Sequence, residues 1–444
     1  MKARWLAGLV LLVWTASLPA AHGGSGDSLA NNPLGFVFDG PVEGAIEFSK
    51  PHKGGGKPSS EVIDWNTFAS NLVAANLPPG PQTYTLAVAH IAIHDALNAI
   101  EPRYEPYEFV GSAPAASVAA AVAAAAHDTL VQLVPQAAAS VDAEYDVALS
   151  SVPDGAAKDA GIATGQAAAA AILARRSSDD LLAAITKPYT PGPADPGVYQ
   201  PTPPLNFVIL AGWSELPPFA LNSASQFRSP TPSSVKSFKY TRDYKQVKSV
   251  GSASSTTRTA EQTETALFWY DVAAKEWNFA AQKGLADLSA DEWWAARTLA
   301  VLNISLADGV IASFDTKFQF NYWRPITAIR AGDNDGNWAT KGDPNWEPLC
   351  VTPPFPEYAS THAVTAAAAA GALALELGDR HTFTVTSPTG ASRTYKRFSA
   401  AAYEEGISRI YCGIHFRNAM NKGFVQGGLI AHYVDKNLLQ PLDD

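Results

Sequence analysis

The chain has 444 residues, 47% of them hydrophobic, and a formal net charge of −10. That length allows a large core and more than one domain. The acidic balance, 42 Asp and Glu against 32 Lys and Arg, argues against nucleic acid as the principal partner and means that any anion site must be built locally.

Residues 1–23 read as an export signal: Lys2 and Arg4 give a positive start, an apolar run follows from Trp5 to Leu18, and small residues follow Pro19. The run is short for a membrane span, so the mature protein is expected to be exported, periplasmic or extracellular, with an uncleaved N-terminal anchor as the alternative. Residues 24–60 have the Gly, Ser, Pro and Asn content of a linker. Helical periodicity begins at Val62, and 85–100 predicts a buried helix closed by Pro102. Further helices are predicted over 115–134, 141–150 and 155–176, so 61–187 form an N-terminal bundle. A Pro-dense connection, 188–258, follows, and Phe207, Trp213 and Phe219 mark it as ordered. Helices resume over 259–274, 277–286 and 290–314. An Ala/Leu helix over 363–377 ends at Gly378, residues 382–398 alternate around Pro388-Thr389-Gly390 as a β-hairpin, and helices over 400–411 and 416–434 close the chain. The expected fold is all-α: two helical bundles, the second (259–444) carrying a small β-hairpin insertion. No stretch after the N-terminal run reads as a stable membrane span. The oligomeric state is open, a homo-oligomer included.

Three short segments in the second half carry the chemistry. Lys317 and Arg324 are two helical turns apart, which would place both cations on one helix face, and Pro325 puts Arg324 near a bend or an end. Together they can grip two oxygens of one anion, Arg as a planar fork and Lys as a point charge. A solvated basic face, the plainer reading, fits poorly with Phe318, Phe320, Tyr322 and Trp323 around them. Ser360-Thr361-His362 precedes a long apolar helix. An N-cap is the bland reading, yet the same helix end offers N–H groups, and Ser360 a hydroxyl, to an anion. His362, in the first turn, is placed for acid–base work. Arg409 and His415 flank Gly413, which allows a turn or a close backbone approach. Arg409 would be a third cation on the anion, and His415 would supply the nitrogen that bonds its central atom.

In order, these segments read Lys-x6-Arg-Pro, Ser-x-His and Ser-Arg-x5-His. The set resembles the vanadium-dependent haloperoxidases and the related type 2 phosphatidic-acid phosphatase superfamily. The likeness to the bacterial haloperoxidase-like branch extends through 326–337, 352–358 and 408–416, and more loosely from residue 87 to 100. It implies an enzyme with a vanadate cofactor. His415 would coordinate vanadium, Lys317, Arg324, Ser360, Thr361 and Arg409 would hold the oxygens, and His362 would be the acid–base residue. Hydrogen peroxide and a halide would be the substrates and hypohalous acid the product. The rival is an acid phosphatase acting on a phosphate ester, with His415 forming a phospho-histidine and His362 protonating the leaving group. Vanadate and phosphate are near-isosteres, and the aromatic-rich Lys317 segment favours the peroxidase. The middle segment departs from the family's Pro-Ser-Gly-His, with Ala359 in place of Pro and Thr361 in place of Gly. Trp323 and Phe355 either line a halide pocket or pack in the core.

Weaker signals receive plainer readings. Cys350 and Cys412 either pair or stay as two buried thiols. His90 and His94 with Asp95 imitate a metal pair, but the Ala, Ile and Leu around them favour a packed helix with internal hydrogen bonds. Residues 333–337 open like a calcium loop without its distal Glu, and read as a polar turn. The Asn303-Ile304-Ser305 sequon falls inside a predicted helix.

Overall fold

The computed structural model describes residues 60–270 and 274–442. The predicted export signal, and all but the last residue of the predicted linker, lie outside these residues. The first half is built from α1 (Glu61–Asn76), α2 (Pro79–Ile100), α3 (Val118–Leu133), α4 (Ala138–Ser150), α5 (Ala156–Arg175) and the short α6 (Leu181–Thr186). Pro79 occupies the first turn of α2, where a missing N–H costs nothing, so this helix starts earlier than its apolar run suggests. It is buried all round because α1, α3, α5 and a later helix, α10, pack about it.

The second half holds α7 (Phe238–Val250), α8 (Ala260–Phe268), α9 (Ala274–Asp287), α10 (Glu292–Phe320), α11 (Pro325–Arg330) and α12 (Thr361–Leu377). The hairpin of β1 (Phe383–Thr386) and β2 (Ser392–Tyr395) follows, in antiparallel register with Phe383 opposite Tyr395. Helices α13 (Phe398–Tyr411) and α14 (Arg417–Asn437) complete the fold. Helix α10 is the mast of the molecule, packed against α2 on one side and against α12 and α14 on the other. By length and composition it is apolar enough to cross a membrane, but its apolar window is wholly buried inside the protein. The two bundles share this helix, and one buried apolar cluster runs through both from Val62 to Leu439.

Three boundaries differ from the sequence reading. The predicted Pro-rich connection also contains α7, and α8 stops at Phe268. Helix α10 runs on to Phe320, past the predicted end. The connection is ordered because α10 grips it: Asp308 accepts the successive N–H groups of Phe219 (2.6 Å), Ala220 (2.8 Å) and Leu221 (3.0 Å). Asp95 on α2 does the same for Tyr107, Glu108 and Phe109. Cys350 and Cys412 form a disulfide, tying the loop after α11 to the end of α13. Gly427 lets α14 lie against α12, since a Cβ there would collide with the Val364 carbonyl.

Candidate active site

Asn321 ends α10 in the left-handed conformation (φ 47°, ψ 46°), and Arg324 becomes the N-cap of α11. Lys317 and Arg324 therefore do not share a helix face, because the helix breaks between them. They converge all the same: Lys317 Nζ and Arg324 Cζ each lie 5.2 Å from the ring centroid of Phe355. Lys317 is fully buried and donates to three carbonyls, those of Pro356 (3.0 Å), Glu357 (3.0 Å) and Ala359 (2.6 Å). An ammonium has three donors. In this structure Lys317 thus spends them shaping the loop before α12, and lends the site its charge.

Arg324, also fully buried, donates from Nε to Phe355 O (2.8 Å) and from Nη1 to Ile414 O (2.9 Å). Its Nη2 finds no hydrogen-bond partner among the described residues. Ser360 is the N-cap of α12 by position but not by bonding. Its side chain makes no cap hydrogen bond, and its hydroxyl is buried without a partner among the described residues. A buried hydroxyl left like this is costly unless something else uses it. Ser360 N–H is held by Ala419 O on α14 (3.2 Å), and Thr361 Oγ1 meets Ser313 Oγ on α10 (3.1 Å). The first intrahelical bond runs from Val364 N–H to Ser360 O (3.0 Å), so the opening N–H groups of α12, Thr361's first, face out of the helix end.

Helix α13 delivers Arg409 and, after the Gly413 turn (φ 80°), His415. Arg409 is buried and donates to Ser408 Oγ (2.9 Å) and Tyr270 O (3.4 Å). The His415 ring is clamped from both sides. Nδ1 lies 2.9 Å from Glu357 Oε1, which also accepts Phe416 N–H at 2.9 Å, and Nε2 lies 3.3 Å from Arg324 Nη1. A guanidinium only donates, so Nε2 is the acceptor and Nδ1 carries the proton. Burial holds the imidazole well below its ordinary pKa, reinforced by Arg324, Lys317, Arg409 and His362 in that order. The three predicted cations and His362 therefore all bear on this ring, which presents a neutral nitrogen lone pair.

The electrostatics call for an anion. Burial lowers Lys317 well below the ordinary lysine value, with Arg324 adding to the effect, and burial brings Arg324 down to about 10. The neighbouring carboxyls move toward neutrality: burial pushes Glu357 up to about 7 and Glu405, bonded to Trp277 Nε1, up to about 8. Buried positive charge in excess of its carboxylates is stabilised by a bound anion. The sequence reading missed two residues here. Glu357 lies inside the quoted Pro-Glu-Tyr, and a carboxylate beside site residues was the available signal. Tyr199, from the Pro-rich stretch, has a buried hydroxyl with no partner among the described residues and lies within reach of the charge on Arg324. Elsewhere, His90 bonds Asn66 (2.8 Å) and His94 bonds Asn98 (3.3 Å) and Glu105 O (3.1 Å), as a packed helix requires.

A family described as the VCPO second helical-bundle domain matches residues 297–444, the stretch that carries all seven predicted site residues. Over that stretch the chain is similar to the vanadium haloperoxidases. It is similar to the vanadium chloroperoxidase of Curvularia inaequalis, at 29% identity over 131 residues, 24% of this chain. The match spans 22% of that protein's length. The crystal structure of the first bacterial vanadium-dependent iodoperoxidase superposes with a TM-score of 0.75 at 24% identity, over 89% of this chain and 99% of that one. A holo-type bacterial vanadium-dependent chloroperoxidase superposes at 0.64 with 14% identity, over 87% and 94%. These likenesses establish the haloperoxidase fold for nearly the whole described chain.

Proposed function

We propose that this chain is a vanadate-dependent haloperoxidase that oxidises halide with hydrogen peroxide to hypohalous acid. The observation that carries the reading is His415: a buried, neutral imidazole, tautomer fixed by Glu357, with its Nε2 lone pair beside Arg324. The donor set fits a tetrahedral oxyanion, because the Arg324 Nη2 and Ser360 Oγ donors are buried and otherwise unused. Arg324, Ser360, Arg409 and the Thr361 N–H would hold vanadate oxygens, the charge of Lys317 would neutralise them, and His415 Nε2 would bind the metal. When bound, vanadate supplies a Lewis acid that activates peroxide toward halide. His362, at the open end of α12, would hold and return the proton that peroxide loses. The chloro- and iodoperoxidase relatives support this reading over the phosphatase.

Export is proposed from residues 1–23, and the Cys350–Cys412 disulfide supports an oxidising compartment. The test of function is peroxide-dependent halogenation of a dye by the purified mature protein, with and without vanadate, beside hydrolysis of a generic phosphate ester. Vanadate-dependent halogenation that disappears in His415→Ala is expected. Ester hydrolysis that vanadate inhibits, with no halogenation, would overturn the proposal.

A further inference from the structure

Helix α7 turns one face to the site and the other away from the protein. On the inner face Tyr240, Asp243, Tyr244 and Val247 are buried. The Tyr240 ring lies 5.5 Å from Phe416 and 6.4 Å from Trp323, the neighbours of His415 and Arg324. Asp243 accepts Asn418 N–H at 2.9 Å, pinning the helix to α14. The outer face presents Phe238, Lys239, Arg242 and Lys245, with Lys236 just before the helix, while Lys248 at its end is half-buried and donates to the Lys341 and Gly342 carbonyls. From 236 to 248 there are five cations and one acid, the buried Asp243, in a chain of net charge −10.

A second segment extends this face. Asn337 Nδ2 donates to Val235 O (2.7 Å) and to Thr241 Oγ1 (2.8 Å), which brings the following residue, Trp338, beside the start of α7. Trp338 is 92% exposed and Phe238 84%, the two most exposed large hydrophobic residues among those described. Fully exposed aromatics within a field of lysines are not explained by core packing, and a merely solvated helix face would not carry them. Aromatic rings that sit at headgroup level, ringed by Lys and Arg, are the side chains of an interfacial anchor. A second copy of the same face is disfavoured as partner, because a two-fold contact would set four exposed cations against four.

We propose that this face docks the protein peripherally on an anionic lipid bilayer, with Phe238 and Trp338 in the interface and Lys236, Lys239, Arg242 and Lys245 on the headgroups. The test is sedimentation of the full chain with vesicles of phosphatidylcholine alone or mixed with phosphatidylglycerol. Binding to the anionic vesicles is expected, and it weakens as salt is added. Juxtamembrane cations are each worth roughly fivefold, so combining Lys239→Glu, Arg242→Glu and Lys245→Glu should lower the partition on the order of a hundredfold. Phe238→Ser with Trp338→Ser should lower it roughly tenfold. Circular dichroism and the halogenation assay verify that these surface variants fold. No binding to anionic vesicles would overturn the proposal. So would binding unchanged in both variants, which would place it in the N-terminal apolar run. Concentration-dependent self-association abolished by the same substitutions would assign the face to a second copy instead.

Discussion

Ser360 holds an N-cap position without making a cap bond, and its buried hydroxyl is left to whatever fills the site. Removing a working Ser cap costs about 1 kcal/mol. Here Ser360→Ala should leave the anion-free protein as stable as before, while vanadate affinity falls roughly tenfold, the worth of one hydrogen bond to a charged group. Thermal unfolding without anion and calorimetric titration with vanadate separate the two effects; a drop in Tm with unchanged affinity would return Ser360 to the role of a cap. Glu357 acts through another residue. Its Oε1 fixes the His415 ring by accepting hydrogen bonds from Nδ1–H and the Phe416 N–H together, so the lone pair faces Arg324. Losing such a partner typically lowers metal affinity by roughly 10- to 100-fold. Glu357→Gln, which keeps the shape and removes the charge, should show that loss in the same titration. Unchanged affinity would mean that Arg324 alone orients the ring.

At the scale of elements, the site depends on where helices stop. Helix α12 carries Thr361 and His362 on its first turn after the Ser360 cap position, and α14 can lie close enough to hold Ser360 N–H because Gly423 and Gly427 have no side chains to meet Ser360 O and Val364 O. Gly427→Ala should force the pair apart, costing about 1–3 kcal/mol of stability. Anion affinity should fall with it, although Gly427 touches no anion-holding group. A titration that matches the wild type despite a lowered Tm would show that the helix end is held by other means. The break at Asn321 explains why the sequence was only partly legible. Most helices were readable because Ala, Leu and Val recur with helical period, and the convergence of three short motifs was readable from their chemistry. Seven residues is also the span of two helical turns, so Lys317 and Arg324 looked like one face until Asn321, a residue type tolerant of left-handed backbone, was seen to end α10. Helix α7 hid behind a Lys-rich sequence with few aliphatic residues. The Glu357–His415 bond joins residues 58 apart, and no local pattern encodes such a pair.

The whole molecule is joined through buried polar groups as well as through its apolar core, and these make its stability depend on pH. His90 is fully buried where four helices meet: it bonds Asn66 on α1, which bonds Asn278 on α9, which bonds Asn303 on α10. Burial lowers its pKa to about 3 from the ordinary 6.5. The folded ring therefore stays neutral while the unfolded ring takes up a proton below about 6.5. Its contribution is fully present above that pH and drains away as the pH falls toward 3, by about 1.4 kcal/mol per pH unit. Asp308, which fastens the Pro-rich stretch to α10, has the opposite sign. Burial raises it to about 6 from 3.8, so its contribution is complete below the unfolded value and is lost as the pH rises through 6. Between these limits the two oppose each other, which makes the stability of the wild type a poor readout and the difference between variants a good one. In urea titrations across this range, His90→Asn should start below the wild type and close the gap as the medium is acidified. Asp308→Asn should lose most against the wild type in acid and recover as the pH rises toward 6. Two differences with the same slope, or none, would mean that water reaches these helix junctions and that their burial does not govern the acid response.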